Sequence, residues 1–183
     1  MFNRLTALFV FIILLPVFLL VALAILIEDG FPIFFSQNRV GINYSFFNIY
    51  KFRSMKKNTP NVATHLLKNP ELYLLKIGKF IRKTSLDELP NLINIIKGEM
   101  VFVGPRPALY NQDDLMALRV SSGVDRMKPG ITGWAQINGR DEISIEAKVA
   151  LEEEYLQRKS FFFDIIIIVK TFTNVLFSKG VSH

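Results

Sequence analysis

Two adjacent carboxylates, Asp87 and Glu88, stand in the stretch Thr84-Ser85-Leu86-Asp87-Glu88-Leu89-Pro90, with Arg82-Lys83 just before them and Arg106 further on. Lys97-Gly98-Glu99-Met100 and Val103-Gly104-Pro105-Arg106-Pro107 carry the basic and glycine-rich residues that follow. An aspartate can attack phosphorus, while arginines and a divalent ion offset charge on a phosphate leaving group. The grouping therefore suits transfer of a phosphoryl-linked group. A plainer reading, in which Glu88 caps a helix and Asp87 is simply solvated, fits these seven residues equally well.

The pair must be held by local structure, and Ser85 followed three residues later by Glu88 matches a capping box. On that reading both acids lie in a first helical turn, where free N–H groups and the helix dipole keep carboxylates ionised. Pro90 conflicts with it, because a proline so far inside the helix removes a backbone bond. Either the helix opens with a distorted turn or it begins at Pro90. Both alternatives put the dyad at a helix entrance.

The chain has 183 residues, 50% of them hydrophobic, and a formal charge of +6. That length fits one domain with a real core. Positive mean hydropathy combined with positive charge argues against a nucleic-acid partner and for anionic lipid. Cysteine is absent, which excludes disulfides, thiolate nucleophiles and cysteine metal sites. The two histidines, His65 and His183, are too few and too far apart for a histidine metal site or a charge-relay triad.

Residues 5–27 are almost continuously apolar, broken only by Thr6 and Pro16, and are long enough to cross about 30 Å of hydrocarbon as a helix. The run is too long for a signal peptide and lacks a small-residue cleavage site at its end. Pro16, close to its middle, predicts either a kinked span or a re-entrant helix that turns back. Arg4 and the basic residues after position 38 both prefer the cytoplasmic side, which would confine the segment to one leaflet.

Further along, residues 30–50 alternate aromatic and β-branched patches and read as short strands. Lys51-Phe52-Arg53-Ser54-Met55-Lys56-Lys57 alternates bases with apolar residues, as a phosphate-facing patch or a solvated basic loop would. Residues 58–67 read as a surface loop. Asn69 as cap and Pro70 at the first position predict an amphipathic interfacial helix running to Lys83 and delivering Arg82 to the dyad. Residues 92–96 continue apolar to a stop at Gly98, residues 100–103 form a short buried strand, and residues 108–119 are helical. Residues 129–140 form a glycine-punctuated loop or hairpin able to close on a phosphate, without the spacing of a Walker loop or dinucleotide fingerprint. Residues 144–159 make a charged helix. Residues 161–177, apolar but for Asp164 and Lys170, make a segment that is buried or lies in the membrane interface. The fold class is thus α+β and mostly helical, with a membrane helix over 1–29 and an integrated catalytic unit over 30–183.

Taken in order, Lys51-Phe52-Arg53-Ser54-Met55, Arg82 with Ser85-Leu86-Asp87-Glu88-Leu89, Lys97-Gly98-Glu99-Met100, Val103-Gly104-Pro105-Arg106-Pro107 and Pro129-Gly130-Ile131-Thr132-Gly133-Trp134-Ala135-Gln136-Ile137-Asn138-Gly139-Arg140 resemble the successive motifs of the bacterial monotopic phosphoglycosyl transferases, or bacterial sugar transferases. The resemblance covers nearly the whole chain and matches the minimal catalytic form. It implies transfer of a sugar 1-phosphate from a UDP-sugar to undecaprenyl phosphate, with release of UMP, magnesium as cofactor and a phosphosugar ester on the dyad aspartate. It makes Asp87 the nucleophile and Glu88 its support as magnesium ligand or base, with both carboxylates as metal ligands. Arg82 then holds a phosphate, Arg106 and Arg140 the nucleotide diphosphate, and Lys51 and Arg53 belong to the phosphate-facing patch. The family's re-entrant helix breaks near a proline, matched here by Pro16, although Leu15 replaces the usual serine neighbour. The implied location is the cytoplasmic face of the bacterial inner membrane, with a homodimer left open. Two rivals remain: a membrane-anchored lipid-binding protein and a phosphohydrolase using the same aspartyl ester.

Overall fold

The computed structural model describes residues 2–60, 69–139 and 143–176. Its first element, α1 (Phe2–Asp29), is about 42 Å long at 1.5 Å per residue. Ala7, Phe18, Val21 and Ile25 are buried, and Val10, Phe11, Leu14 and Val17 pack beside them. The spacing of three and four residues keeps all of these on one stripe. The opposite face leaves Leu8, Ile12, Leu19 and Leu23 exposed. Both ends are tied to the rest of the chain. Near the start, the Arg4 Nε donates to the Ile96 carbonyl at 2.6 Å; at the end, the Glu28 carboxylate accepts from the Lys76 and Ile77 amides at 2.6 and 3.0 Å. The helix continues through Pro16 as one element. It is long and apolar enough to cross a membrane.

Strands β1 (Phe34–Val40) and β2 (Phe46–Phe52) form an antiparallel hairpin running from the Phe34–Phe52 pair to Val40–Phe46. The connecting turn holds Asn43 at φ 50, a left-handed position that asparagine tolerates. Strand β3 (Val101–Val103) is followed by the two-residue β4 (Ala108–Leu109), which extends the hairpin sheet in the order β2-β1-β4. β3 itself pairs in parallel with β5 (Gly130–Thr132).

Helices α2 (Lys76–Lys83) and α3 (Asn91–Lys97) flank the dyad, α4 (Asp113–Ser121) and the one-turn α5 (Trp134–Ile137) follow, and α6 (Ile145–Arg158) and α7 (Phe161–Leu176) close the described chain. α1, β2 and α3 share one core through Ala7, Phe47, Ile49, Leu92 and Ile95. α1, β2 and α2 share another through Phe18, Ile25, Phe52, Leu75 and Ile81. The apolar N-terminal segment is thus packed into the same cores as β2, α2 and α3.

Three expectations are corrected. The helix predicted from Pro70 to Lys83 is two pieces: a 3-10 turn over Pro70–Tyr73 and α2, joined through extended Leu74 and Leu75. The extended link pairs Leu74 with Met55, and the Leu75 amide donates to the Ser54 carbonyl at 3.0 Å, so pairing with the strand exit outweighs helix continuation. Gly78 makes that approach possible, since a Cβ there would lie 2.1 Å from the Ser54 oxygen. Residues 108–119 are β4 followed by α4, because Ala108 adds to the sheet beside Val40. Residues 129–140 are not a hairpin; residues 130–132 join β3 at long range and α5 follows.

Other expectations hold. Gly98 ends α3 in the left-handed region at φ 87, and the charged helix expected over residues 144–159 is α6, which the Ser144 side chain caps by accepting from the Ala147 amide at 3.2 Å. α7 buries Phe163 and Ile167 and exposes Phe161, Phe162, Ile165, Ile166, Val169 and Phe172. Its acid is accounted for: the Tyr155 hydroxyl donates to Asp164 at 2.7 Å.

Candidate active site

The turn carrying the dyad is built by the failure of the helix to start early. Ser85 sits at φ 56 and its side chain makes no cap bond, so the expected capping box does not form. A single 3-10 turn, Leu86–Glu88, is held by the Glu88 amide on the Ser85 carbonyl and the Leu89 amide on the Leu86 carbonyl, both at 3.2 Å. α3 then begins after Pro90, which has no N–H to lose. The dyad therefore lies on a tight turn between α2 and α3.

Around it, β2 and α2 supply cations. Lys51, near the end of β2, places its Nζ 2.6 Å from the Glu88 Oε1. Arg106, beyond β3, reaches the same oxygen at 3.9 Å. Arg82, in the last turn of α2, donates from Nε to the Ser54 hydroxyl at 2.8 Å and interacts electrostatically with Asp87.

Asp87 is pushed up to about 6, first by burial and then by the neighbouring Glu88 charge, with Lys51 and Arg82 pulling the other way. This corrects the expectation of a carboxylate kept comfortably ionised by a helix dipole. The turn is too short for a dipole and too buried for full solvation. At pH 7 the carboxylate form still leads by about tenfold. Arg82 is lowered by burial and partly restored by Asp87, so the two groups support each other's charge.

Arg53 does not join this cluster. Its guanidinium, only 8% exposed, is ion-paired with Asp29 and donates to the Gly30 carbonyl at 2.6 Å. Strand alternation would put Lys51 and Arg53, two apart, on one face, but Arg53 lies beyond the end of β2 and follows the exit of α1 instead. Pro16 lies on the exposed face of α1. Arg140 and both histidines fall outside the described residues.

Two residues were missed by sequence reasoning. Ser54 orients Arg82. Asn94 is fully buried in α3; its side chain accepts from the Tyr50 amide at 3.1 Å and donates to the Asn48 carbonyl and to Glu99, both at 2.7 Å. It thereby pins β2 against α3 one residue from Lys51. An asparagine inside the apolar run Leu92-Ile93-Asn94-Ile95-Ile96 was the available signal, since buried amides must be bonded.

The chemistry of this donor set fits a hard divalent cation. Asp87 and Glu88 are adjacent oxygen donors, and Mg²⁺ takes one or two carboxylates and completes its shell with water and substrate phosphates.

Residues 1–178 match the family described as bacterial sugar transferase, and the chain belongs to that family. It is 43% identical over 159 residues to an uncharacterized sugar transferase, EpsL, of Bacillus subtilis, covering 86% of this chain and 76% of that protein. It is 37% identical to the exopolysaccharide production protein ExoY of Sinorhizobium fredii, over 98% of this chain and 85% of that one. With the UDP-glucose:undecaprenyl-phosphate glucose-1-phosphate transferase of Escherichia coli it shares 39% identity over 85% of this chain but only 35% of that protein. The protein is an enzyme of the phosphoglycosyl transferase class.

Proposed function

We propose that this protein transfers a sugar 1-phosphate from a UDP-sugar to undecaprenyl phosphate, releasing UMP, by way of a covalent ester on Asp87. The observation that carries this reading is the half-buried Asp87, raised to about 6, with Lys51 and Arg82 acting on it and Arg106 within 3.9 Å of its neighbour Glu88. Names of relatives point the same way, among them an undecaprenyl-phosphate galactose phosphotransferase of Salmonella typhimurium.

In the first half-reaction an Asp87 oxygen attacks the phosphorus bonded to the sugar, and the bond from that phosphorus to the UMP oxygen breaks. UMP leaves with the electron pair. Arg82 and Arg106 offset the charge that develops on the phosphate oxygens. In the second, an oxygen of the polyprenol phosphate attacks the same phosphorus and the Asp87 carboxylate departs. Glu88 accepts the proton if the acceptor phosphate arrives singly protonated, and Lys51 holds Glu88 in place. Asp87 and Glu88 would hold Mg²⁺, which supplies Lewis-acid neutralisation of the diphosphate.

The reading includes a monotopic place on the cytoplasmic face of the bacterial inner membrane, and the packing of α1 supports the monotopic part of it. Its inner stripe shares cores with β2, α2 and α3, and both ends are hydrogen-bonded to that unit. A spanning orientation would drag Lys51, Lys76 and Lys97 into hydrocarbon, which is costly. Entry of the exposed Leu8, Ile12, Leu19 and Leu23 face into one leaflet, with Pro16 on that face, avoids this.

The test is UMP release from a panel of UDP-sugars with Mg²⁺ and undecaprenyl phosphate, alongside intact-mass detection without acceptor. Wild type should form a sugar-phosphate adduct and Asp87→Asn should not. Free sugar phosphate without acceptor would support a phosphohydrolase, and no adduct with any donor would favour a lipid-binding protein.

A further inference from the structure

The Gly104-Pro105-Arg106-Pro107 turn is held more firmly than its exposure requires. The Pro105 carbonyl accepts from the Gly130 amide of β5 at 2.9 Å. The Arg106 carbonyl accepts from the Arg119 guanidinium of α4 at 2.9 Å. The Pro107 carbonyl accepts from the Arg39 guanidinium of β1 at 3.1 Å. Three consecutive carbonyls are thus taken by three different elements, and the prolines on either side of Arg106 fix their own φ angles. Only the Arg106 side chain is left open, 44% exposed and directed toward Glu88.

Arg119 is itself locked. Its Nε and one terminal nitrogen make a bidentate pair with Glu152 of α6 at 2.8 and 2.5 Å, and both side chains are buried, at 5% and 2% exposure. Such a pair is a poor means of stabilising a core, because desolvation of two charges offsets most of their attraction. It does fix the direction of the second N–H on the same terminal nitrogen, which a lysine's single ammonium cannot do in the same way. That N–H is the one on the Arg106 carbonyl.

We infer that Arg119, oriented by Glu152, is a positioning residue for the reaction: it holds the backbone of Arg106 so that the exposed guanidinium is preorganised for the diphosphate of the nucleotide donor. The inference rests on the assignment of Arg106 to the nucleotide diphosphate. Binding to a preorganised group avoids the cost of ordering it, so loosening the turn appears as weaker nucleotide binding.

The probe is UDP with Mg²⁺, titrated calorimetrically into the purified full chain in detergent. Arg106→Ala should weaken UDP by on the order of tenfold or more, as for loss of a charge-assisted contact. Arg119→Lys should weaken it several-fold, and the double variant Arg106→Ala/Arg119→Lys should bind no more weakly than Arg106→Ala alone, because Arg119 acts through Arg106. A second variant, Arg119→Met/Glu152→Leu, removes both buried charges while keeping volume and should fold; it should show the same weakening as Arg119→Lys. Wild-type UDP affinity in that folded variant, or losses that multiply in the Arg106 double variant, would overturn the clamp. Wild-type affinity in Arg106→Ala would instead overturn the assignment of Arg106 and the clamp with it.

Discussion

The molecule holds two clusters of opposite charge that face opposite demands. At Arg119 and Glu152 every oxygen of the carboxylate has a guanidinium partner and both groups are buried. At Asp87 and Glu88, by contrast, two carboxylates lie side by side on a 3-10 turn, Glu88 is 22% exposed, and Asp87 is raised by burial and by its neighbour. The first arrangement is satisfied and serves position. The second keeps two carboxylates adjacent, with Lys51, Arg82 and Arg106 around them. Functional sites are where such local cost is retained.

The comparison breaks most visibly if one partner of the satisfied cluster is removed. Glu152→Ala leaves the Arg119 guanidinium buried without its counter-ion, and breaking a buried pair costs about 3–5 kcal/mol. Thermal unfolding of the detergent-solubilised variant should fall by roughly 10 °C. A shift of a degree or two would mean that the pair is more solvated than its burial indicates, and the contrast between the clusters would fail.

A smaller effect, confined to activity, is expected at the dyad cluster. Arg82→Ala removes one cation beside Asp87 and should lower kcat/KM by on the order of 30-fold, about 2 kcal/mol of transition-state stabilisation, with little loss of stability. Ser54→Ala, which only frees Arg82 from its hydroxyl, should cost less, about threefold to tenfold. Near-normal turnover in Arg82→Ala would remove it from the site.

What could be read in the sequence follows from range. Lys51, Arg82, Asp87, Glu88 and Arg106 were singled out by type and neighbourhood, and the structure gathers all five. The helix stop at Gly98 and the cap at Ser144 are local events with local signals. Arg53 misled because alternation with Lys51 says which residues share a face but not where a strand ends; its partner Asp29 comes from the exit of α1. The break at Leu74 and Leu75 and the pairing of β5 with β3 depend on contacts with residues far away in the chain, which periodicity cannot register. Ser85 shows the same limit within a turn: the capping-box pattern was present, but Pro90 and the packing of Leu86 and Leu89 against the α2 core left its side chain without a cap bond.

A pH-dependent effect sharpens the comparison by asking what the buried carboxylate costs the fold. Asp87 titrates at about 6 in the folded protein against an ordinary 3.8. Between those values the folded state keeps a proton that the unfolded chain has released, so stability falls as pH rises from about 4 to about 6, and the whole penalty is present above 6. Asparagine resembles the protonated acid at every pH. In magnesium-free buffer, Asp87→Asn should therefore match wild type near pH 4 and exceed it at pH 7 by about 2 kcal/mol, a gain of roughly 5 °C in Tm, while abolishing adduct formation. The difference between the two proteins reports Asp87 together with the groups coupled to it, Glu88, Lys51 and Arg82. A gap that is the same at pH 4 and pH 7 would mean that the side chain is not strained by ionisation, and that the turn holds Asp87 as easily as a surface loop would.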